Sequence, residues 1–157
     1  MKKYECAVDI NLPLEKVVAL FNDPANFQYW QNGFVSYQTI NGTPRTLGAI
    51  SKILFVNGKN TIELTETIQA MNLPTQMTAL YEHAHGSNTM TNTFMELPGN
   101  KTRYIAEIGN AKGYGLLPKL MIVFMFGAYK KHNQKWLNQF KKFAEGSPSA
   151  PSFISPI

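Results

Sequence analysis

Glu66 is the side chain whose position in this sequence most directly suggests acid–base chemistry. Polar and apolar residues alternate over 60–71, which is typical of a half-buried strand. With the threonines of this run facing solvent, Glu66 faces inward beside Leu64 and Ile68. A carboxyl group in an apolar interior has its pKa raised by desolvation, and such a group can act as an acid or base near neutral pH. Glu66 is therefore the candidate catalytic residue; the alternative is a position near the open rim, where it is either paired with a lysine or solvated.

Burial without a partner makes a charge costly to the folded state. No cationic partner of Glu66 is evident from the sequence around it. If Glu66 is functional, we expect Glu66→Gln to alter ligand affinity or turnover while leaving stability equal or higher.

Other polar side chains fall on the inward faces of the neighbouring runs. By the same alternation, Tyr81, Asn92 and Tyr104 face inward, and each could orient a carbonyl or hydroxyl group of a ligand. They could equally hydrogen-bond one another as part of the core. His83 and His85 are two residues apart, a spacing that can ligate a metal, but no third ligand is evident. We expect no metal and place both histidines at the rim.

Hydrophobic periodicity and turn signals predict the elements that position these residues. Alternation over Lys3 to Ile10 predicts a strand, and apolar residues at helical spacing predict a helix that ends at Asn22-Asp23-Pro24. A second short helix is predicted over about 25–31. Turn residues then divide the chain into six strands, at about 34–41, 48–56, 60–71, 75–85, 88–97 and 102–111. The short gaps between them predict an antiparallel meander, with seven strands in all.

The last predicted element is one long helix over 116–144. Its second half is amphipathic, whereas the run Leu120 to Phe126 is apolar all round. This run is too short to cross a bilayer, which needs about twenty residues, so we predict no transmembrane segment. It must bury both sides, or bury one and offer the other to a ligand, a partner or a membrane surface. We expect its sheet-facing side, with Leu120 and Phe124, to line a cavity, so that Phe124→Asp would bury an unpaired charge.

Length, charge and cysteine content limit the class of protein. The 157 residues suit one domain, which we place at 1–145, followed by a flexible Ser/Pro-rich tail at 146–157. The single cysteine excludes an internal disulfide. The net charge of +5 comes from 116–145, which has six lysines against one acid. No arginine-rich run or aromatic ladder accompanies it, so nucleic acid is not the expected partner. The start has no signal-peptide pattern, and a cytoplasmic location is expected.

Three stretches carry a resemblance to a known group of proteins. They are Asp23-Pro24-Ala25-Asn26-Phe27 running to Trp30-Gln31, Phe94 to Leu97 with its glycine turn and Thr102-Arg103, and the closing run 137–145. With the order of elements, these stretches resemble the START-like (Bet v 1-like, SRPBCC) superfamily over residues 3–145. The chain is most similar to its polyketide cyclase/dehydrase and lipid-transport group. The resemblance implies an α+β helix-grip fold, in which a curved seven-stranded antiparallel sheet surrounds a long C-terminal helix and encloses an apolar cavity.

Three functions remain open at this point. The first is binding or transport of a hydrophobic small molecule, such as a lipid, quinone or polyketide-like compound. The second is a polyketide cyclase/dehydrase- or isomerase-type enzyme that uses Glu66 or a tyrosine–histidine pair. The third is binding of a protein through the lysine face of the last helix. No recognisable acid–base constellation is present, which favours the first; no cofactor is expected, and a homodimer is possible. The predicted ligand-binding residues are Trp30, Glu66, Tyr81, His83, Asn92, Phe94, Tyr104, Leu120 and Phe124.

Overall fold

Seven strands form one antiparallel, curved sheet in the computed structural model, which describes residues 3–146. The strands are β1 (Tyr4–Ile10), β2 (Phe34–Asn41), β3 (Ile50–Asn57), β4 (Asn60–Asn72), β5 (Gln76–His83), β6 (Gly86–Leu97) and β7 (Lys101–Gly113). Their spatial order is β1-β7-β6-β5-β4-β3-β2, so each strand from β2 to β7 pairs with its sequence neighbour and β1 pairs with β7. This confirms the predicted meander of six strands and the total of seven, whereas the pairing of β1 with β7 was not predicted.

Two short helices follow β1, and the longest helix ends the described chain. The first are α1 (Leu14–Phe21) and α2 (Phe27–Trp30), with a 3-10 turn at Pro24–Asn26 between them. The C-terminal segment contains α3 (Leu116–Phe124) and α4 (Phe126–Gly146). The α+β helix-grip architecture is therefore confirmed. Gly146 still belongs to α4, and residues 147–157 of the predicted tail lie outside the described part of the chain.

The single helix predicted over 116–144 is instead two helices that meet at Met125. The backbone of Met125 departs from helical values, with φ −103° and ψ 13°. Its N–H nevertheless donates to the Met121 carbonyl at 2.8 Å, and its own carbonyl accepts from the Tyr129 N–H at 3.0 Å. The hydrogen-bond ladder thus passes through the irregularity. It lies two residues before Gly127, and glycine weakens a helix interior.

The hairpin between β5 and β6 also differs from the prediction. We placed its turn at 86–88, but the structure turns at Ala84-His85, and His83 pairs with Gly86. A Cβ at Gly86 would lie 2.2 Å from the Lys112 carbonyl oxygen of β7. Gly86 is therefore needed for the close approach of a strand rather than for a turn. His85 consequently lies in the turn, and its predicted inward position on a strand is wrong.

A dense aromatic core joins the helices to one end of the sheet. The second half of α4 buries Leu137, Phe140 and Phe143, and α1 buries Phe21. The Phe21 ring lies 5.5 Å from Tyr104 and 6.2 Å from Phe140, between centroids, in edge-to-face contacts. This packing closes the concave face of the sheet at that end.

Candidate functional site

The concave face of the sheet is sealed at one end and open at the other. Along β4, the inward side chains Ile68 and Glu66 are each 1% exposed, Leu64 is half-buried, and Ile62 is 41% exposed. The neighbouring strands show the same gradient. Their buried members are Met77, Ala79, Asn92, Phe94 and Tyr104, and their more exposed members are Tyr81, His83, Asn88 and Met90. We call the more exposed part of this face the open half; it consists of Ile62, Leu64, Tyr81, His83, Asn88 and Met90. We call the buried part the sealed half; it consists of Ile68, Met77, Ala79, Asn92, Phe94 and Tyr104.

A buried polar cluster around Glu66 lies at the boundary between the two halves. Glu66 Oε1 accepts a hydrogen bond from the Tyr37 hydroxyl at 2.8 Å. Glu66 Oε2 accepts one from the Tyr81 hydroxyl at 2.9 Å and one from Arg45 at 3.0 Å. The predicted inward position of Glu66 is confirmed. The expectation that it is a lone carboxylate is wrong, because Arg45 forms a buried ion pair with it.

Arg45 reaches Glu66 from the loop between β2 and β3, with a left-handed backbone at φ 60°. Its Nε donates to Asn22 Oδ1 at 3.0 Å, which links it to the end of α1. Its guanidinium carbon lies 5.6 Å and 5.4 Å from the ring centroids of Phe21 and Phe27, within cation–π range. Sequence analysis missed Arg45, because nothing in a loop sequence indicates that its side chain turns into the interior.

The electrostatics of the cluster favour neutral phenols beside a paired charge. Burial, reinforced by the Glu66 carboxylate, raises the pKa of Tyr81 well above its ordinary value and also raises the pKa of Tyr37. Burial lowers the pKa of Arg45, but Glu66, Tyr81 and Tyr37 together outweigh burial and raise that pKa overall. Both oxygens of Glu66 are engaged. Glu66 is therefore better placed to stabilise the interior than to abstract a proton from a substrate.

Four predicted ligand-binding residues lie in the closed interior. The Tyr104 hydroxyl donates to Asn92 Oδ1 at 2.7 Å, so these two satisfy each other, as the core alternative predicted. The Phe94 ring stacks on Tyr104 at 4.8 Å between centroids. Trp30 is 5% exposed and packs against Phe140. Any contact between these side chains and a ligand stays a prediction.

The predicted ligand-binding residues Tyr81 and His83 belong to the open half. Tyr81 lies at its inner end, next to Glu66, and His83 lies at its exposed edge. His83 Nδ1 accepts a hydrogen bond from the His85 N–H at 3.2 Å, and burial lowers the pKa of His83, with a smaller effect from His85. Within residues 3–146, no group of three His, Cys, Asp or Glu side chains comes together that could hold a metal ion.

The placement expected for Phe124 is wrong, because this side chain is 79% exposed and is not buried opposite the sheet. Leu120 is 43% exposed, and its contact with a ligand stays a prediction. A run that is apolar all round predicts that some side of the helix packs against the protein, but it does not indicate which side. Phe124→Asp would consequently leave its charge in water rather than buried. Two pockets among the described residues are open depressions elsewhere, one along β1 and β7 and one along α4. An enclosed cavity therefore stays a prediction, and the open half is an open-ended cleft.

Trp136 borders this cleft and was missed by the sequence analysis. Its ring stacks on Phe55 at 5.5 Å between centroids, and Phe55 pairs across the sheet with Ile62 of the open half. The indole N–H groups of Trp30 and Trp136 are buried and have no acceptor among the described residues. Buried donors normally have a partner, so these two N–H groups are available to donate to a polar atom of a ligand or to a water molecule. The only feature of the sequence that could have indicated these two donors is that both positions are tryptophan.

No family model and no curated protein sequence matches this chain. Solved structures do match in shape. A conserved protein from Geobacillus kaustophilus is 13% identical with a TM-score of 0.75, covering 93% of this chain and 97% of that one. The Zhui aromatase/cyclase from Streptomyces sp. R1128 is 11% identical with a TM-score of 0.74, covering 96% and 97%. Ara h 8.0201 is 13% identical with a TM-score of 0.68, covering 91% and 97%. At these identities the likeness shows the fold, which is START-like, or Bet v 1-like.

The ion pair predicts a stability change opposite to the one expected from sequence. Glu66→Gln would leave the Arg45 cation buried without its counterion, so we expect a loss of about 3–5 kcal/mol in the free energy of unfolding. Glu63→Gln on the same strand is the matched control. Glu63 pairs with Lys52 at an exposed position, so its loss should stay below about 1 kcal/mol. Urea unfolding of both variants measures this, and equal stability of Glu66→Gln and wild type would contradict the pairing.

Alkaline pH should weaken the fold through the buried phenols. Because the pKa of Tyr81 is higher in the folded than in the unfolded chain, the stability it contributes is complete below about pH 10 and falls as the pH rises further. Tyr81→Phe should therefore show a shallower decline in unfolding free energy above about pH 10 than wild type. The control is Tyr114→Phe, since Tyr114 is half exposed. Identical slopes for Tyr81→Phe and wild type would show that Tyr81 is solvated.

Proposed function

We propose that this START-like protein binds a hydrophobic small molecule in the open half of its concave face. The observation that carries the proposal is the exposure of inward-facing apolar side chains. Ile62 is 41% exposed, and Leu64 and Met90 are half-buried, on a face whose members in the sealed half are fully buried. Apolar surface that lies in a concave cleft gains free energy when a ligand covers it.

The polar groups of the cleft indicate a ligand with an apolar body and a polar end. The Tyr81 hydroxyl donates to Glu66 at the boundary of the open half, and its oxygen can still accept a hydrogen bond from a ligand. The unpartnered N–H of Trp136, which borders the cleft, offers a further donor. A lipid, a quinone or a polyketide-like compound has this combination of an apolar body with carbonyl or hydroxyl oxygens.

A cyclase/dehydrase- or isomerase-type enzyme is the second candidate. One solved structure of the same fold is an aromatase/cyclase, which favours this candidate at the level of fold only. The residue chemistry favours it less, because Glu66 accepts three hydrogen bonds and is paired with Arg45. Binding of a protein through the lysines of α4 remains the third candidate.

A pair of tryptophan substitutions on β4 tests binding in the cleft. Leu64 faces the cleft and Thr65 faces the other side of the sheet, and both are half-buried. Leu64→Trp should fill the cleft and weaken binding of the dye anilinonaphthalene sulfonate at least about tenfold, or ~1.4 kcal/mol, whereas Thr65→Trp should bind like wild type. Fluorescence titration measures both affinities.

Two further measurements separate the remaining outcomes. Unchanged dye affinity in Leu64→Trp would overturn the proposal, and loss of dye binding in Phe124→Ser alone would place the dye on α3 instead. Native mass spectrometry of the purified protein would identify a retained small molecule. If wild type converts that molecule to a dehydrated product and Tyr81→Phe does not, the enzyme candidate replaces the binding candidate.

A further inference from the structure

Helix α3 presents a large apolar surface that no other described part of the chain covers. Leu116, Leu117, Val123 and Phe124 are each between 68% and 79% exposed. At about 100° per residue, the exposed apolar side chains of α3 span an arc of about 160°, and nine residues give a length of about 13 Å. Exposed apolar patches of this kind mark interaction sites. Within residues 3–146, no helix has the length and hydropathy to span a bilayer.

The sequence on both sides of α3 carries charge of one sign. From 108 to 144 the sequence contains seven lysines and no acidic residue. Lys112, Lys119, Lys130 and Lys131 flank or belong to α3, are exposed, and form no salt bridge with a described carboxylate. Lys119 borders the apolar arc on the helix circumference. An apolar helical face flanked by lysines is the pattern of a helix that lies in an anionic membrane interface.

We propose that α3 docks onto an anionic lipid bilayer, with its apolar face in the interface and the neighbouring lysines against the headgroups. A second copy of this chain fits the surface less well. A two-fold interface centred on α3 would bring the lysines of one copy close to those of the other, and like charges repel. The anionic lipid surface instead satisfies both the apolar and the cationic part of the patch.

The position of α3 places this docking face beside the open half. The Tyr114 N–H, just before α3, donates to the His85 carbonyl at 2.9 Å in the turn after β5. A Cβ at Gly113 would lie 2.6 Å from the Lys119 nitrogen, so α3 packs directly on the end of β7. Docking rests on α3 and its lysines alone, and it does not require that the cleft bind a ligand.

Flotation with vesicles tests the proposal on the full-length protein. We expect wild type to float with vesicles of equal parts phosphatidylglycerol and phosphatidylcholine, to bind weakly to phosphatidylcholine alone, and to lose binding at high salt. Val123→Ser with Phe124→Ser should weaken binding roughly tenfold or more, because it removes two large apolar side chains from the interface. These residues are exposed, so the variant should unfold at the same urea concentration as wild type.

The control variant removes two exposed apolar side chains from β2 instead of α3. Val35 and Ile40 on β2 are each 52% exposed, and Val35→Ser with Ile40→Ser should float like wild type. Lack of flotation by wild type, or equal flotation of the α3 variant, would overturn the proposal. A wild-type dimer in sedimentation velocity that the α3 variant abolishes, without vesicle binding, would overturn it in favour of a second copy. Because Leu64→Trp should still float, failure of docking and failure of ligand binding are distinguishable.

Discussion

Glu66 brings a negative charge into the concave face of the sheet, where burial of an ion costs several kcal/mol unless it is paired and hydrogen-bonded. Three side chains from different parts of the chain meet this requirement. Tyr37 donates from β2, Tyr81 from β5, and Arg45 from the loop between β2 and β3. Arg45 in turn holds Asn22 at the end of α1. The carboxylate therefore fixes the position of a loop, a helix end and three strands relative to one another.

This cluster also explains where the interior stops being closed. On one side of it, aromatic rings from α1, α2 and α4 fill the space above the sheet, and Asn92 and Tyr104 satisfy each other. On the other side, the inward residues of β4 become progressively exposed from Leu64 to Ile62. A polar group in the closed part is occupied by its neighbours, whereas Tyr81 at the boundary also faces the cleft. Under the proposed function, specificity for a ligand would be set at this boundary, and affinity by the apolar side chains beyond it.

The sequence was sufficient to predict the structure wherever apolar residues repeat with the regular period of a strand or a helix. Alternation correctly predicted the inward side of β4, including Glu66, and the order of β2 to β7 followed from short turns. It was insufficient where the chain departs from a period. A register shift between Phe34 and Ser36 puts Phe34 and Tyr37 on the same face, although strict alternation separates them. Arg45 lies in a loop without any period.

Helix α3 shows a different limit of sequence analysis. A helix that is apolar all round has no pattern that tells which side packs against the protein. The prediction that its apolar side chains line the interior followed from the expectation that apolar surface is buried, and the structure leaves much of that surface exposed. Only the contacts of α3 with the end of β7 decide its orientation.

The division between an open and a sealed half is tested most directly by methyl-resolved NMR spectroscopy during titration with decanol. The account predicts shifts at the methyl groups of Ile62, Leu64 and Met90, which face the cleft, and little change at Ile68 and Met77, which are buried behind the Glu66 cluster. Shifts confined to α3, or distributed equally over both halves, would contradict it.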